Sequence, residues 1–361
     1  MTTRCIALLG RKDGPTDAVE EYCCYLIAAL QTHNIQLEIC RVPWEIHGWP
    51  KALRELRLQA SKWCNTWVML QYTALAWSTR GFPQKVLPTL KILKSAGARV
   101  GIVFHDVEPY PGIRPIDSIR RFIQARTMRH ALTLVDLAIF TVPPEKLSWL
   151  PAVPPHAAFI PVGPNLPIHL ASPMLTVQNP VPTIGVFSIT GGESGDRETQ
   201  IILATVGHAA KKLGKLRLSI FGRHAELRET SLREGLRDLP VELLVEGVVE
   251  PAKVVQKLSL CDVLLFVRGP ISSRRSSGIA GIACGLPVIA YLGSETAAPI
   301  TDAGVVLVSP DHPDDLKDAL VRVLSDAAFR AELAALSRDA YRCYFAWPAI
   351  ATRFSTLLIN R

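Results

Sequence analysis

Apolar residues along this chain recur in two alternating rhythms. Short, almost wholly apolar runs stand at Ile6–Leu9, Leu37–Cys40, Val68–Gln71, Val100–Phe104 and Leu137–Val142. Longer segments with apolar positions three and four apart fill most of the gaps, notably Thr16–His33, Trp49–Lys62, Lys85–Ala96 and Ile116–Leu134. A run that is apolar on both faces suits a strand buried in a parallel sheet. The longer amphipathic segments suit helices laid over that sheet. The pattern predicts a strand–helix alternation and hence an α/β layer structure.

The rhythm then stops and starts again. Of 27 prolines, 11 fall between Pro143 and Pro182, and no long periodic segment survives there. Proline removes a backbone donor and fixes φ, so this stretch reads as loops and a linker, with the hinge near Asn165–Val181. A second series of strands is expected at Thr183–Ser188, Leu216–Phe221, Val241–Val245, Val263–Val267, Pro287–Tyr291 and Val305–Val308. Helices are expected at Glu198–Leu213, Pro251–Leu260, Ser276–Cys284 and Pro313–Leu324. The chain is also longer than one core usually sustains. We therefore expect two doubly wound, Rossmann-like domains: residues 1–165, a linker at 166–181, and residues 182–340, followed by a final helix at 341–361. In such folds a ligand site is expected at the C-terminal ends of the strands, between the domains.

Composition adds limits. With 48% apolar and 20% charged residues, the chain reads as an ordinary globular protein, and its longest apolar runs are too short to span a bilayer. Cys5–Leu9 runs on into Gly10-Arg11-Lys12-Asp13 without a small-residue cleavage site, so it reads as a first strand and the protein as cytoplasmic. The eight cysteines form no C-x-x-C pair and no metal-ligand spacing with histidine; buried reduced thiols are expected. The net charge of +8 implies attraction to something acidic. Part of it is local, in Arg114, Arg120, Arg121, Arg126, Arg129 and His130, on a segment whose Ile116, Ile119, Phe122 and Ile123 approximate helical spacing. Either this is a solvated helix face, or it is a basic amphipathic face for an anionic membrane carrying a lipid-linked acceptor. No recognisable nucleic-acid-binding module accompanies the charge, so nucleic acid is not expected as a partner.

The strongest single segment is Ala283-Cys284-Gly285-Leu286-Pro287-Val288-Ile289-Ala290. On its own it describes a helix end, a glycine cap, a proline that stops the helix and a buried strand. In its context, with Gly293-Ser294-Glu295, with Gly304 through Pro310, and with Phe345-Ala346-Trp347 near the end, the chain resembles the retaining, nucleotide-sugar-dependent glycosyltransferases of family 4. The resemblance is specific over about residues 182–361 and architectural before that. It implies a GT-B fold, in which the two domains face each other across a cleft and the last helix returns to the first domain. It also implies a nucleotide diphosphate sugar as co-substrate, no other cofactor and no metal.

The resemblance breaks at the donor site. The family's two glutamates, with seven residues between them, fall here on Ser272 and Ala280, and neither is a carboxylate. Between them stand Ser273, Arg274, Arg275, Ser276, Ser277 and Gly278, a basic loop opening into a helix. Guanidiniums and unpaired N–H groups at a helix start suit a diphosphate, so Arg274 or Arg275 with the N–H groups of Ser276, Ser277 and Gly278 are the candidate. The plain alternative is two solvated arginines and a serine-capped helix. A second candidate is Thr190-Gly191-Gly192-Glu193, a glycine-bearing loop framing the donor, with Arg197 standing in for a lysine of the family and Ser188 where the family has an arginine. A plain turn is the alternative there.

In the first domain His105 ends an apolar strand, where the family often carries a histidine near the reacting sugar; Asp106 could instead cap the next loop. The loop from Gly10 to Gly14 is the other place where donor and acceptor meet in this fold, with Thr16 or Asp17 expected to cap the following helix. No P-loop, H-E-x-x-H or G-x-S-x-G signature is present. The expected activity is transfer of a hexose to a glycan, lipid-linked or small-molecule acceptor. The loss of both glutamates leaves a catalytically silent, sugar-nucleotide-binding relative or partner subunit as the alternative.

Overall fold

The computed structural model describes residues 2–14, 16–112, 114–168 and 180–359. Most of the expected hinge, residues 169–179, lies outside the described residues. Backbone contacts divide the chain into two compact units, residues 1–162 with 347–361, and residues 163–346.

In the first unit the order is β1 (Thr3–Leu9), α1 (Ala18–Leu30), β2 (Ile35–Arg41), α2 (Trp44–His47), α3 (Trp49–Ala60), β3 (Trp67–Tyr72), α4 (Val86–Ser95), β4 (Arg99–Phe104), α5 (Pro115–Leu132), β5 (Leu137–Phe140) and β6 (Ala157–Phe159). All strands pair in parallel, in the order β2-β1-β3-β4-β5-β6. Every side chain of β3 and β5 is buried, which is why those segments read as unbroken apolar runs. The order reverses direction between β1 and β3, and at such a switch point the flanking loops part and leave a crevice at the C-terminal rim.

The second unit runs β7 (Thr183–Phe187), α6 (Gly192–Leu213), β8 (Leu216–Phe221), α7 (Glu229–Leu236), β9 (Val241–Glu246), α8 (Pro251–Ser259), β10 (Val263–Phe266), α9 (Ser276–Ala283), β11 (Val288–Tyr291), β12 (Val305–Val308), α10 (Asp314–Ser325) and α11 (Ala327–Ala340). Its six parallel strands lie in the order β12-β11-β10-β7-β8-β9, with the switch point between β7 and β10. Ile202, Val206 and Ala209, the apolar stripe of α6, pack into the core with Leu216, Leu218 and Ile220 of β8. Burying one such aliphatic side chain is worth about 2 kcal/mol.

The last helix, α12 (Trp347–Ile359), belongs to the first unit. Trp347 stacks on Tyr25 of α1, and the buried Trp67 indole of β3 donates to the Leu358 carbonyl at 3.0 Å. Among the described residues, no helix is long and apolar enough to cross a membrane.

Several elements differ from the sequence expectation. The short β6, α2 and α7 carry too little periodicity to be read from one sequence, and the alanine-rich α11 shows no clear apolar stripe. Helix α1 starts at Ala18, because Asp17 holds the N-cap, its Oδ1 accepting from the N–H groups of Val19 and Glu20. Helix α6 starts at Gly192, six residues before the expected Glu198. Cys23 is buried while its neighbour Cys24 is exposed, as adjacent helical positions must diverge, and Cys64 and Cys343 are exposed too.

Candidate functional site

The C-terminal rim of the second sheet is built around its switch point. After β7 the chain turns at Ser188, whose φ of 67° is left-handed. Ser188 donates its N–H to the Phe221 carbonyl and accepts from the Arg223 N–H on its Oγ. That knits the loop after β7 to the loop after β8, and Gly191 lies where an added Cβ would meet the His224 ring at 3.4 Å. On the other side of the switch, Arg268 follows β10. Its Nη1 reaches Ser277 Oγ at 3.4 Å, and its Nε has no acceptor among the described residues. Burial pushes its pKa down; the Glu198 carboxylate opposes that and neighbouring Arg223 adds to it. Glu198 is itself buried in α6 and accepts the Thr190 N–H. Arg223, Arg268 and Ser277 thus form a basic cluster at the strand ends with one enclosed carboxylate beside it. A guanidinium held there suits an anionic ligand.

The sequence pointed instead to Arg274 and Arg275, and both guanidiniums bear on Glu295. Arg274 forms a two-pronged ion pair with Glu295, Nε to Oε2 at 2.7 Å and Nη2 to Oε1 at 2.8 Å, while Ser272 Oγ donates to the same Oε2 at 3.0 Å. Burial raises the Glu295 pKa, but the hydrogen bonds and charge of Arg274, with Ser272 and Arg275, outweigh it and hold the carboxyl below its ordinary value. Arg274 therefore serves the loop's own structure. Ser272 and Ala280, at the positions of the two missing acids, are both buried.

The helix start also differs in detail. No side chain caps α9, whose first residues are Ser276 and Ser277, so the serine-capped alternative does not apply. The Gly278 N–H donates to the Arg275 carbonyl at 2.9 Å. Gly192 and Glu193 form the first turn of α6 rather than a framing loop, and Arg197 is exposed on that helix. The helix can start early because Gly195 passes so close to the Thr190 carbonyl that a Cβ would sit 1.9 Å from its oxygen. Arg228, which the sequence did not single out, fastens this turn, pairing with Asp196 and donating to the Gly192 carbonyl at 2.9 Å.

At the rim of the first sheet a cavity of about 290 Å³ opens at the switch point. Leu9 and Gly10 after β1, Arg41 of β2, Gln71 and Thr73 from the end of β3, and Asp106 after β4 line it. Gly10 is required there, because a Cβ would meet the Ala76 carbonyl oxygen at 2.2 Å. Gly14 has open space around it, and no close approach demands a glycine. Arg41 is held by Asp17 and Glu20, both at 3.2 Å, and donates to the Gly10 carbonyl. Asp106 pins the loop after β3 rather than the one expected after itself, its Oδ2 accepting the Ala74 N–H at 2.8 Å.

His105 is not among the residues lining the cavity. Its Nε2 faces Gln71 Oε1 at 2.9 Å, and its ring meets Tyr22 edge-on. Gln71 Nε2 donates to the Met69 carbonyl, which can only accept, so the amide oxygen must face His105 and Nε2 of the imidazole carries the proton. Burial pushes the His105 pKa down to about 4, against a smaller opposing pull from Asp17. A neutral imidazole behind Gln71 fixes the orientation of that amide at the cavity edge.

No family model matches this sequence, and no curated protein matches it. Solved structures are similar over the whole length. Sucrose-phosphate synthase from Thermosynechococcus elongatus superposes with a TM-score of 0.70 at 17% identity, covering 99% of this chain and 98% of that one. Anabaena HepE, in complex with UDP and glucose, gives 0.67 at 16%, covering 99% and 100%. A putative UDP-N-acetylglucosamine 2-epimerase from Listeria monocytogenes gives 0.59 at 12%, covering 98% and 95%. The fold is the two-domain GT-B architecture. Identity this low establishes architecture, and the residues at the rims must argue the chemistry.

Proposed function

We propose that this protein is a glycosyltransferase that takes its sugar from a nucleotide diphosphate donor. The observation that carries the reading is the basic cluster of Arg223 and Arg268 beside Ser277, at the switch point of a sheet with the strand order of nucleotide-binding domains. The full-length likeness to HepE, whose structure holds UDP and glucose, supports the same reading. Developing charge on a leaving diphosphate needs fixed positive groups. Arg268, Arg223 and Arg275, with the N–H groups of Ser276 and Ser277, would supply them without a metal. The cavity at Gly10, Gln71 and Asp106 would take the acceptor, with hydroxyl groups meeting Asp106 and the Gln71 amide. Retention of anomeric configuration and a hexose donor follow from the family 4 resemblance alone.

Thermal unfolding with UDP, GDP and ADP, each with and without its sugar, tests this. One nucleotide should raise Tm by several degrees at millimolar concentration, also in the presence of EDTA. Donor turnover with acceptor extracts should follow. No shift with any nucleotide sinks the donor site. A shift without turnover favours the second reading, a silent relative that binds the sugar nucleotide, which the buried Ser272 and Ala280 specifically support.

A further inference from the structure

Helix α5 is built inside out over its first three turns. Its inward face there is polar. Asp117 pairs with Arg120, whose Nε donates to the Arg80 carbonyl and whose guanidinium lies over the Phe82 and Tyr110 rings. Gln124 accepts the Tyr110 N–H at 2.7 Å and donates to the Gly81 carbonyl at 2.8 Å. The large apolar side chains point the other way: Ile116 is 46% exposed, Ile119 55% and Phe122 64%. At 100° per residue these share one face with Arg126, Arg129 and His130 in the last turns, all exposed. The helix's one acid, Asp117, is buried on the opposite side, so this face carries no carboxylate.

We propose that this face of α5 docks the protein on an anionic membrane surface. Ile116, Ile119 and Phe122 enter the headgroup boundary, and Arg126, Arg129 and His130 meet lipid phosphates. Exposed isoleucine and phenylalanine side chains need an apolar medium, and their basic neighbours need a negative one; an anionic bilayer offers both at the same depth. A second copy of this face would bring like charges together, and a nucleic-acid backbone would leave the apolar row in water. The structure narrows the charge set read from sequence. Arg120 turns inward to Asp117, and Arg121 falls off this face at 100° per residue and donates to the Gly112 carbonyl, so neither belongs to the docking row; Arg129 lies on the face, with its Nε donating to the Trp149 carbonyl at 2.8 Å. The inference is independent of the glycosyltransferase reading.

Co-sedimentation of the whole chain with phosphatidylglycerol–phosphatidylcholine vesicles, against phosphatidylcholine alone, is the test. Binding should need the anionic lipid and weaken as salt rises. Phe122→Glu with Ile119→Glu should weaken it more than tenfold, and Arg126→Glu by about fivefold or more. Lys211→Glu, an equal charge change on α6, should leave it unchanged. These side chains are exposed, so melting curves should not move. The emission of a Phe122→Trp variant should shift to the blue on anionic vesicles and be quenched by brominated lipid. The proposal is overturned by absent binding at low salt, by Phe122→Glu with Ile119→Glu binding like the parent, or by emission of the Phe122→Trp variant that ignores the vesicles. A dimer that Phe122→Glu dissolves would likewise replace the membrane with a second copy.

Discussion

Arg274 places both prongs of its guanidinium on Glu295, and truncating it to alanine leaves a largely enclosed carboxylate without that pair, though Ser272 Oγ and the charge of Arg275 remain. Removing one partner of an enclosed pair costs about 3 kcal/mol. Arg274→Ala should therefore reduce stability by that amount in urea denaturation, while any nucleotide bound per folded molecule is unchanged. Arg268→Ala should do the reverse, with a small stability change and nucleotide affinity down tenfold or more by calorimetry. His105 gives a pH signature. Its folded pKa, about 4, lies below the ordinary histidine value, so the unfolded chain takes up the proton first. Stability is unaffected above about pH 6.5 and falls as pH drops toward 4, by about 3 kcal/mol in all. His105→Asn should flatten that slope in denaturation curves recorded across the range.

At the scale of elements, glycine positions explain what the chain's rhythm conceals. Thr190 through Arg197 is rich in glycine and polar residues, and such composition reads as a loop. From Gly192 on it nonetheless opens α6, because Gly195 lets the helix graze the Thr190 carbonyl and Arg228 ties Asp196 and Gly192. Gly10 is the matching close approach in the first unit, where the Arg11 N–H donates to the Ala76 carbonyl at 2.8 Å. Gly10→Ala forces the loop of residues 73–76 outward and should cost about 2 kcal/mol or more, the scale of overpacking. It should also weaken acceptor use, seen as a raised KM, more than donor binding. Helix α5 shows the opposite hazard. The spacing of Ile116, Ile119, Phe122 and Ile123 invites a buried face, but the neighbours that α5 meets present carbonyls and an N–H, which select Asp117, Arg120 and Gln124.

For the whole molecule, the return of α12 to the first unit ties the two ends of the chain together. Trp347 stacks on Tyr25 and meets Tyr22, the residue whose ring supports His105, and the Trp67 indole finds its acceptor in the Leu358 carbonyl. Ending the chain at residue 346 would uncover α1 and leave that indole without this acceptor. Such a chain should lose the cooperative unfolding of the first unit, with Trp67 Nε1 exchanging freely by hydrogen exchange. Trp67→Phe alone should cost about 1 kcal/mol.

The sequence by itself determined the two parallel sheets. Strands such as β3 and β5, buried on both faces, must be apolar throughout, and that leaves a signal in a single chain. It also marked the turn from α9 into β11, because Gly285 has a φ of 72°, a conformation glycine adopts freely. Only the tertiary structure decided which partner each arginine takes. Arg274, Arg268 and Arg120 look alike in sequence, and their roles depend on partners 21 residues away at Glu295, nine away at Ser277, or 40 away at the Arg80 carbonyl. A charge's function is set by what surrounds it, and those surroundings come from remote parts of the chain that no local pattern records.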